Sequence, residues 1–377
     1  MPRQRYLVVG SLLSCLFGAL VLSSCGPRIP IAASIAPAES KRQVSPQATP
    51  TPLQLPIMDD DNTGPSGLFL GAVCLTHGPL RCGNFAKVLR HHIALGTEFA
   101  SWNSDLVKFM KQQGMNSWPA QKITPEITWM PIGVTYDAIN SGQYDAYITA
   151  QAQELKKFRS SVFLRPFHEF NGYWYPWGLP NQGGNSDTDK AFIAAWQRMV
   201  NIFRQQGASN VKFVWCFSSS ALHAIQNEPW DDPAQAYPGD DYVDWISFDG
   251  YNRGTLANPK QWVTFDSLIS QAYQLSISIS NAKPISISEI ASNEYGDGGA
   301  MKSAWILQML TELTGADNPY PHIRLVSWYE ADSVYQYDTE SSDLAYTAFA
   351  MNIRGKFPSG LLKVRSNGSA LARVTAP

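Results

Sequence analysis

The residues best equipped for chemistry crowd into one stretch, Phe163-Leu164-Arg165-Pro166-Phe167-His168-Glu169-Phe170-Asn171-Gly172-Tyr173-Trp174-Tyr175-Pro176-Trp177-Gly178, where an apolar run opens into a histidine, a carboxylic acid and several aromatics. Rings around a carboxyl group strip it of water and raise its pKa, which suits Glu169 to act as a general acid near neutral pH. Arg165 and His168 stand beside it as groups that orient or tune it. A second carboxylate closes another apolar run, Lys283-Pro284-Ile285-Ser286-Ile287-Ser288-Glu289-Ile290-Ala291-Ser292, whose apolar residues alternate until Glu289 arrives. Two acids facing each other across a cleft are the equipment of glycoside hydrolysis. At a separation of about 5–5.5 Å they give retention through a covalent intermediate, and at about 6.5–9.5 Å they give inversion through a bound water. Indole faces are also well shaped for sugar rings, although a core position is the alternative for any one tryptophan.

Acids so far apart in the chain need a frame that converges them. Short apolar runs at 68–73, 95–100, 127–130, 162–167, 211–217, 243–248, 284–288 and 323–328 read as strands. Helical patterns at 145–158, 189–206, 265–275, 301–313 and 344–353 lie between or after them. Eight strands alternating with helices predict a (β/α)8 TIM barrel, in which chemistry sits at the carboxyl ends of the strands. On this count Glu169 ends the fourth strand and Glu289 the seventh, so both open into one mouth from opposite sides of the axis. The barrel is expected over residues 66–355, followed by an irregular tail at 356–377.

The segment Arg165-Pro166-Phe167-His168-Glu169-Phe170-Asn171-Gly172-Tyr173-Trp174-Tyr175-Pro176-Trp177 resembles the acid/base motif of glycoside hydrolase family 26. Tyr237-Pro238-Gly239-Asp240-Asp241-Tyr242-Val243-Asp244-Trp245 and Phe248-Asp249-Gly250-Tyr251-Asn252 are similar to its sixth-strand region, and 283–289 to its nucleophile strand. Thr128-Trp129-Met130-Pro131 resembles a third-strand motif that usually reads Trp-Glu-Pro, with Met130 as a departure. The resemblance implies a (β/α)8 fold and retaining chemistry, with Glu169 as acid/base and Glu289 as nucleophile. It also implies that Trp174 lines the sugar subsite beside the cut, that Tyr251 hydrogen-bonds the nucleophile, and that Asp249 supports that strand end. His168 precedes the acid/base as in the family. Trp328 is the candidate platform for the sugar at the cleavage point, and Trp177 a further binding residue, with packing as the alternative for both. β-1,4-Mannan leads as substrate, followed by β-1,3-1,4-glucan and β-1,3-xylan. Glu98-Phe99-Ala100-Ser101-Trp102 holds no clear mannan-recognition histidine. An exopolysaccharide is a further option, and a glycan-binding lipoprotein without turnover is the reading from another class.

The formal net charge of -2, without a basic block, draws the chain toward neither nucleic acid nor anionic lipid, which fits a neutral polysaccharide partner and a monomer. Residues 1–25 read as an export signal, with Arg3 and Arg5 before an apolar run, and Leu22-Ser23-Ser24-Cys25 resembles a lipobox whose cysteine takes a lipid anchor. An uncleaved membrane anchor is the alternative. Residues 26–65, rich in Pro, Ala, Ser, Thr and Gln, read as a disordered tether. Beyond the signal three cysteines remain. Cys74 and Cys82, flanking a turn-rich loop, are the expected disulfide pair, and Cys216 is expected to be a buried thiol. No Cys or His spacing suggests a metal, and no cofactor is expected. The Asn367-Gly368-Ser369 sequon reads as chance, and Ser218-Ser219-Ser220 lack a nucleophile elbow.

Overall fold

The computed structural model describes residues 67–75, 82–158, 160–226, 232–254, 262–331 and 333–357. The expected signal with Cys25, the tether, the Asn367 sequon and the tail from 358 onward lie outside the described residues. Among the described residues, eight parallel strands close into one barrel in chain order: β1 (Phe69–Cys74), β2 (Leu95–Ser101), β3 (Thr124–Met130), β4 (Val162–Pro166), β5 (Val211–Ser218), β6 (Trp245–Asn252), β7 (Ile285–Ser292) and β8 (Ile323–Glu330). The helices are α1 (Cys82–Leu89), α2 (Leu106–Gln112), α3 (Tyr136–Asn140), α4 (Asp145–Lys157), α5 (Ser186–Gln205), α6 (Phe265–Ile279), α7 (Ala300–Thr314) and α8 (Asp343–Asn352). This is the (β/α)8 barrel that the alternation predicts. Two connections depart from the simplest form: β3 is followed by two helices, and the described part of the β5–β6 connection holds only 3-10 turns.

Alternation along each strand separates two environments. Leu164, Trp215, Ile246, Phe248, Ile285 and Ile287 pack outward into the large core beneath the helices. Phe69, Leu95, Phe163, Val214, Trp245 and Leu325 form a separate inner cluster that fills the amino-terminal half of the barrel. Burying one such side chain contributes about 1.5–3 kcal/mol. Above this plug the inward residues turn polar, and the strands run beyond their apolar stretches. β6 ends at Asn252 and β7 at Ser292, each four residues past the expected limit, and those added residues include Asp249, Tyr251 and Glu289.

The helices hold this frame by their own sequence signals. α5 begins where Asn185 accepts hydrogen bonds from the amides of Asp187 and Thr188, with Asp187 and Asp189 in its first turn. Such a cap satisfies donors that the helix itself leaves orphaned, at a gain of about 1 kcal/mol. Phe192, Ala195, Trp196, Met199 and Phe203 recur on one face and bury it, with Phe192 and Trp196 against Phe167 just past β4, and Trp196 and Phe203 against Phe213 of β5. At the end of β1, Cys74 and Cys82 are joined in a disulfide, with Cα atoms 5.2 Å apart.

Candidate active site

Glu169 lies just past β4, in a turn that few side chains adopt willingly. Phe167 and Glu169 have φ of 54° and 53°, in the left-handed region, where a residue bearing Cβ is disfavoured by about 1–2 kcal/mol. The turn is over-determined by its neighbours. The Glu169 amide donates to Cys216 O at 2.9 Å, Gly172 N donates to Glu169 O at 2.9 Å, and Trp177 Nε1 donates to His168 O at 2.8 Å. The Glu169 carboxyl is thereby held at the mouth, where Trp174 Nε1 donates to its Oε2 at 2.6 Å. Gly172 permits that contact, because a Cβ there would lie 2.4 Å from the Trp174 ring.

Glu289 arrives by a different device. Strand parity would place it with Ile285 and Ile287, facing the helices. A register shift against both neighbours intervenes: Phe248 pairs with Ile287 but Asp249 with Glu289, while on the other side Ile287 pairs with Val326 and Ile290 with Trp328. One extra residue in β7 is a bulge, and a bulge re-aims the side chains beyond it. Ser288 faces inward to Ser247, and Glu289 turns inward after it to meet Arg165.

Arg165, inward on β4 and fully buried, organises the interior. Nη1 lies 3.0 Å from both Asp249 oxygens, Nη2 donates to Glu289 Oε1 at 2.5 Å, and Nε and Nη2 donate to Thr128 Oγ1 at 3.1 and 2.6 Å. Glu126 Oε2 is 3.7 Å from Nε and accepts from Thr97 Oγ1 at 2.8 Å. One guanidinium therefore faces three buried carboxyl groups. Burial is the largest influence on Glu126 and pushes its pKa up, with Arg165 pulling the other way. Burial raises Asp249 as well, also against Arg165. Glu289 keeps the direct guanidinium contact and a hydrogen bond from the Tyr251 hydroxyl to its Oε2. Glu169 is pushed up to about 7, first by burial and then by the negative charge of Glu289. The two carboxyl groups thus sit in different settings: Glu169 is raised by burial and by its neighbour, and Glu289 is held at both oxygens by Arg165 and Tyr251.

Arg165, Glu169, Trp174, Asp249, Tyr251 and Glu289 meet as the sequence suggests. His168 is buried, its ring 4.6 Å from that of Tyr175 and 5.7 Å from that of Phe99, and burial keeps it neutral by lowering its pKa well below the usual value. Two tryptophans are corrected. Trp177 is 1% exposed and stacks under Tyr175 at 4.4 Å, so Tyr175 presents the more open face. Trp328 is also 1% exposed and packs against Trp305 and Phe349 of α7 and α8, on the helix side of β8; it is a core residue and offers no sugar platform. Its neighbour Tyr329 has the opposite parity, meets Tyr251 edge-on at 5.3 Å, and senses the charges of Glu289 and Glu169. Sequence reasoning missed Glu126, Thr128, Tyr329, Tyr337 and Arg253, the last with its guanidinium 5.5 Å from the centre of the Tyr251 ring. Starting β3 at Ile127, beyond Pro125, hid Glu126, whereas alternation on the longer strand points to both Glu126 and Thr128. Among the described residues, no group of three or more Cys, His, Asp or Glu is arranged to hold a metal ion.

A parallel eight-stranded barrel carrying one buried carboxyl group just beyond β4 and another within β7 has the layout of a glycoside hydrolase. The family model of glycosyl hydrolase family 26 matches residues 105–287, and the chain is similar to that family over this span. It is similar to Endoglucanase H of Acetivibrio thermocellus, 37% identical over 224 residues, which is 59% of this chain and 23% of that protein. It is similar also to a mannan endo-1,4-beta-mannosidase of Bacillus subtilis, 26% identical over 190 residues, covering 45% of this chain and 48% of the relative. The chain thus spans about a quarter and about half of these relatives' lengths. In fold it matches an endo-beta-1,4-mannanase double mutant of Cellulomonas fimi, with a TM-score of 0.56 and 17% identity, covering 80% of this chain and 73% of the other.

Proposed function

We propose that the protein hydrolyses a β-linked polysaccharide by double displacement with net retention. Glu289 attacks the anomeric carbon while Glu169 gives its proton to the departing glycosidic oxygen, which leaves a glycosyl ester on Glu289. Glu169, now ionised, takes a proton from water as the water oxygen attacks the same carbon. The C–O bond to Glu289 breaks, and both carboxyl groups return to their starting states. The observation that carries this reading is the opposite setting of the two acids. Glu169 is raised to about 7, chiefly by burial, while Arg165 and Tyr251 each hold one oxygen of Glu289.

For the backbone, the higher identity to an endoglucanase than to a mannosidase, over a longer span, favours a β-glucan ahead of the β-1,4-mannan that family resemblance alone suggests. Reducing-end release from lichenan, galactomannan and β-1,3-xylan separates the choices, and shortening of the polymer separates endo from exo attack. Proton NMR of the first product should show the β-anomer; an α-anomer formed first would exclude retention. Glu289→Ala should lose at least ~10⁴-fold in turnover and remain folded, and near-normal activity in that variant would refute the assignment. Tight glycan binding by the wild-type chain with no product would point to a binding protein. Export with a lipid on Cys25 belongs to the same proposal, and fatty-acid labelling that persists in Cys25→Ala would refute it.

A further inference from the structure

The segment that joins β8 to α8 passes behind the nucleophile. Tyr337 stacks on Tyr251 at 5.2 Å, and Tyr335 stacks on Tyr337 at 5.3 Å. Tyr251 in turn donates to Glu289. The wall against which the nucleophile's hydrogen-bond donor rests is therefore shared between Tyr329 of β8 and this loop, with the loop supplying the stacked face.

That loop is tied down from α7. Lys302 is fully buried, and its ammonium donates to Gln336 O at 2.6 Å, Asp338 O at 2.7 Å and Ser341 Oγ at 2.8 Å. Gln336 has φ of 49°, a left-handed conformation that the loop does not favour by itself. Further ties come from Glu294, just past β7, and from β8. Glu294 N donates to Tyr335 O, Glu294 Oε2 accepts from Ser341 and Ser342, Trp328 Nε1 donates to Tyr337 O, and Thr339 N donates to Glu330 Oε2. Lys302 is the cation among them, and its three donor hydrogens each reach a different residue of the loop.

We propose that Lys302 is a positioning residue for the nucleophile: by clamping residues 336–341 it presses Tyr337 against Tyr251 and so keeps the Tyr251 hydroxyl on Glu289. The inference rests on the reading of Glu289 as nucleophile. A role in global stability accounts for the lysine poorly. Burial lowers its pKa to about 8 even though Asp338, Glu294 and Glu330 pull it upward, so the buried charge is incompletely compensated. A buried ion of this kind is weak support for stability, and its worth lies in the arrangement it imposes.

The test is Lys302→Met in the full chain, which removes the charge and the donors at similar length. Hydrogen exchange at constant pH should be about ten-fold faster at the amides of 335–341 and also faster at 250–252, with one cooperative unfolding transition retained. On whichever polysaccharide the wild type cleaves, kcat should fall about ten-fold with KM changed by less than about two-fold, the split expected when an interaction made in the transition state is loosened. Faster exchange at 335–341 with none at 250–252, or an unchanged kcat, overturns the proposal. If Lys302→Met fails to fold, Ser341→Ala removes one lysine partner and one Glu294 partner while Lys302 keeps Gln336 O and Asp338 O and Glu294 keeps Ser342, and the same split should appear at about three-fold. An unchanged kcat there overturns it equally. A wild-type chain inactive on every polysaccharide defeats the hydrolase reading alone, since exchange at 250–252 still decides whether the clamp reaches Tyr251.

Discussion

Replacing Glu169 by Gln should stabilise the fold at alkaline pH, by an amount set by the environment that makes it an acid. Its pKa is raised from 4.5 to about 7, first by burial and then by the Glu289 charge. A group whose folded pKa lies above its unfolded value binds more protons folded than unfolded between those two values, so its contribution to stability falls as pH rises through that window. One pKa unit corresponds to about 1.36 kcal/mol, so the shift amounts to about 3 kcal/mol. That penalty is absent below about pH 4.5, grows up to about pH 7, and stays constant above. Glutamine keeps the shape and the oxygen that accepts from Trp174 but cannot ionise. Urea unfolding of wild type and Glu169→Gln across pH 4–9 should show the variant more stable by about 3 kcal/mol at pH 8, with the advantage fading toward pH 4. A variant no more stable at pH 8, or a difference independent of pH, would refute the argument that burial holds the proton on Glu169.

Other outcomes follow from the same contacts. Trp174→Phe removes the donor that favours ionised Glu169, so the alkaline limb of kcat/KM should move up from about 7 by about one pH unit; a downward move contradicts the assignment. Arg165→Lys, often considered conservative, replaces a fork serving Asp249, Glu289 and Thr128 with a single point charge, and chemical denaturation should show a loss of about 3–5 kcal/mol together with activity. Replacing Cys74 and Cys82 by Ser, across a sequence separation of 8, should lower unfolding free energy by about 2.5 kcal/mol by the chain-entropy relation, with activity per folded molecule unchanged below the transition.

Much of this was legible before any coordinates. Apolar runs bounded by turns located all eight strands, and the alternation of strands with helices gave the barrel, because hydrophobic period and connection length are local properties. Glu169 and Glu289 were legible because each follows an apolar run. Three things were hidden for physical reasons. Strand parity alone aims Glu289 at the helices, and the bulge that turns it inward is a pairing between strands, invisible in one strand's pattern. Trp328 and Tyr329 are adjacent aromatics at a strand end, and only the barrel's inside and outside tell which is core. The Lys302 clamp joins a helix to a loop more than thirty residues later, and such a contact leaves no periodic trace.

The turn that carries Glu169 offers a second, independent route to the Trp174 effect. At Gly172 a Cβ would fall 2.4 Å from the Trp174 ring, closer than real carbon contacts allow, and the ring atoms that it meets belong to the rigid indole itself. Gly172→Ala must therefore displace the indole whose Nε1 lies 2.6 Å from Glu169 Oε2. Trp174→Phe deletes the donor, while Gly172→Ala keeps it but moves it out of reach, so the two variants share one consequence and little else. If the indole hydrogen bond tempers Glu169, both should shift the alkaline limb of kcat/KM upward from about 7, and the double variant should shift it no further than Trp174→Phe alone. Additive shifts in the double variant, or an unmoved limb in Gly172→Ala with Trp174→Phe shifted, would show that the indole acts on substrate and not through the acid.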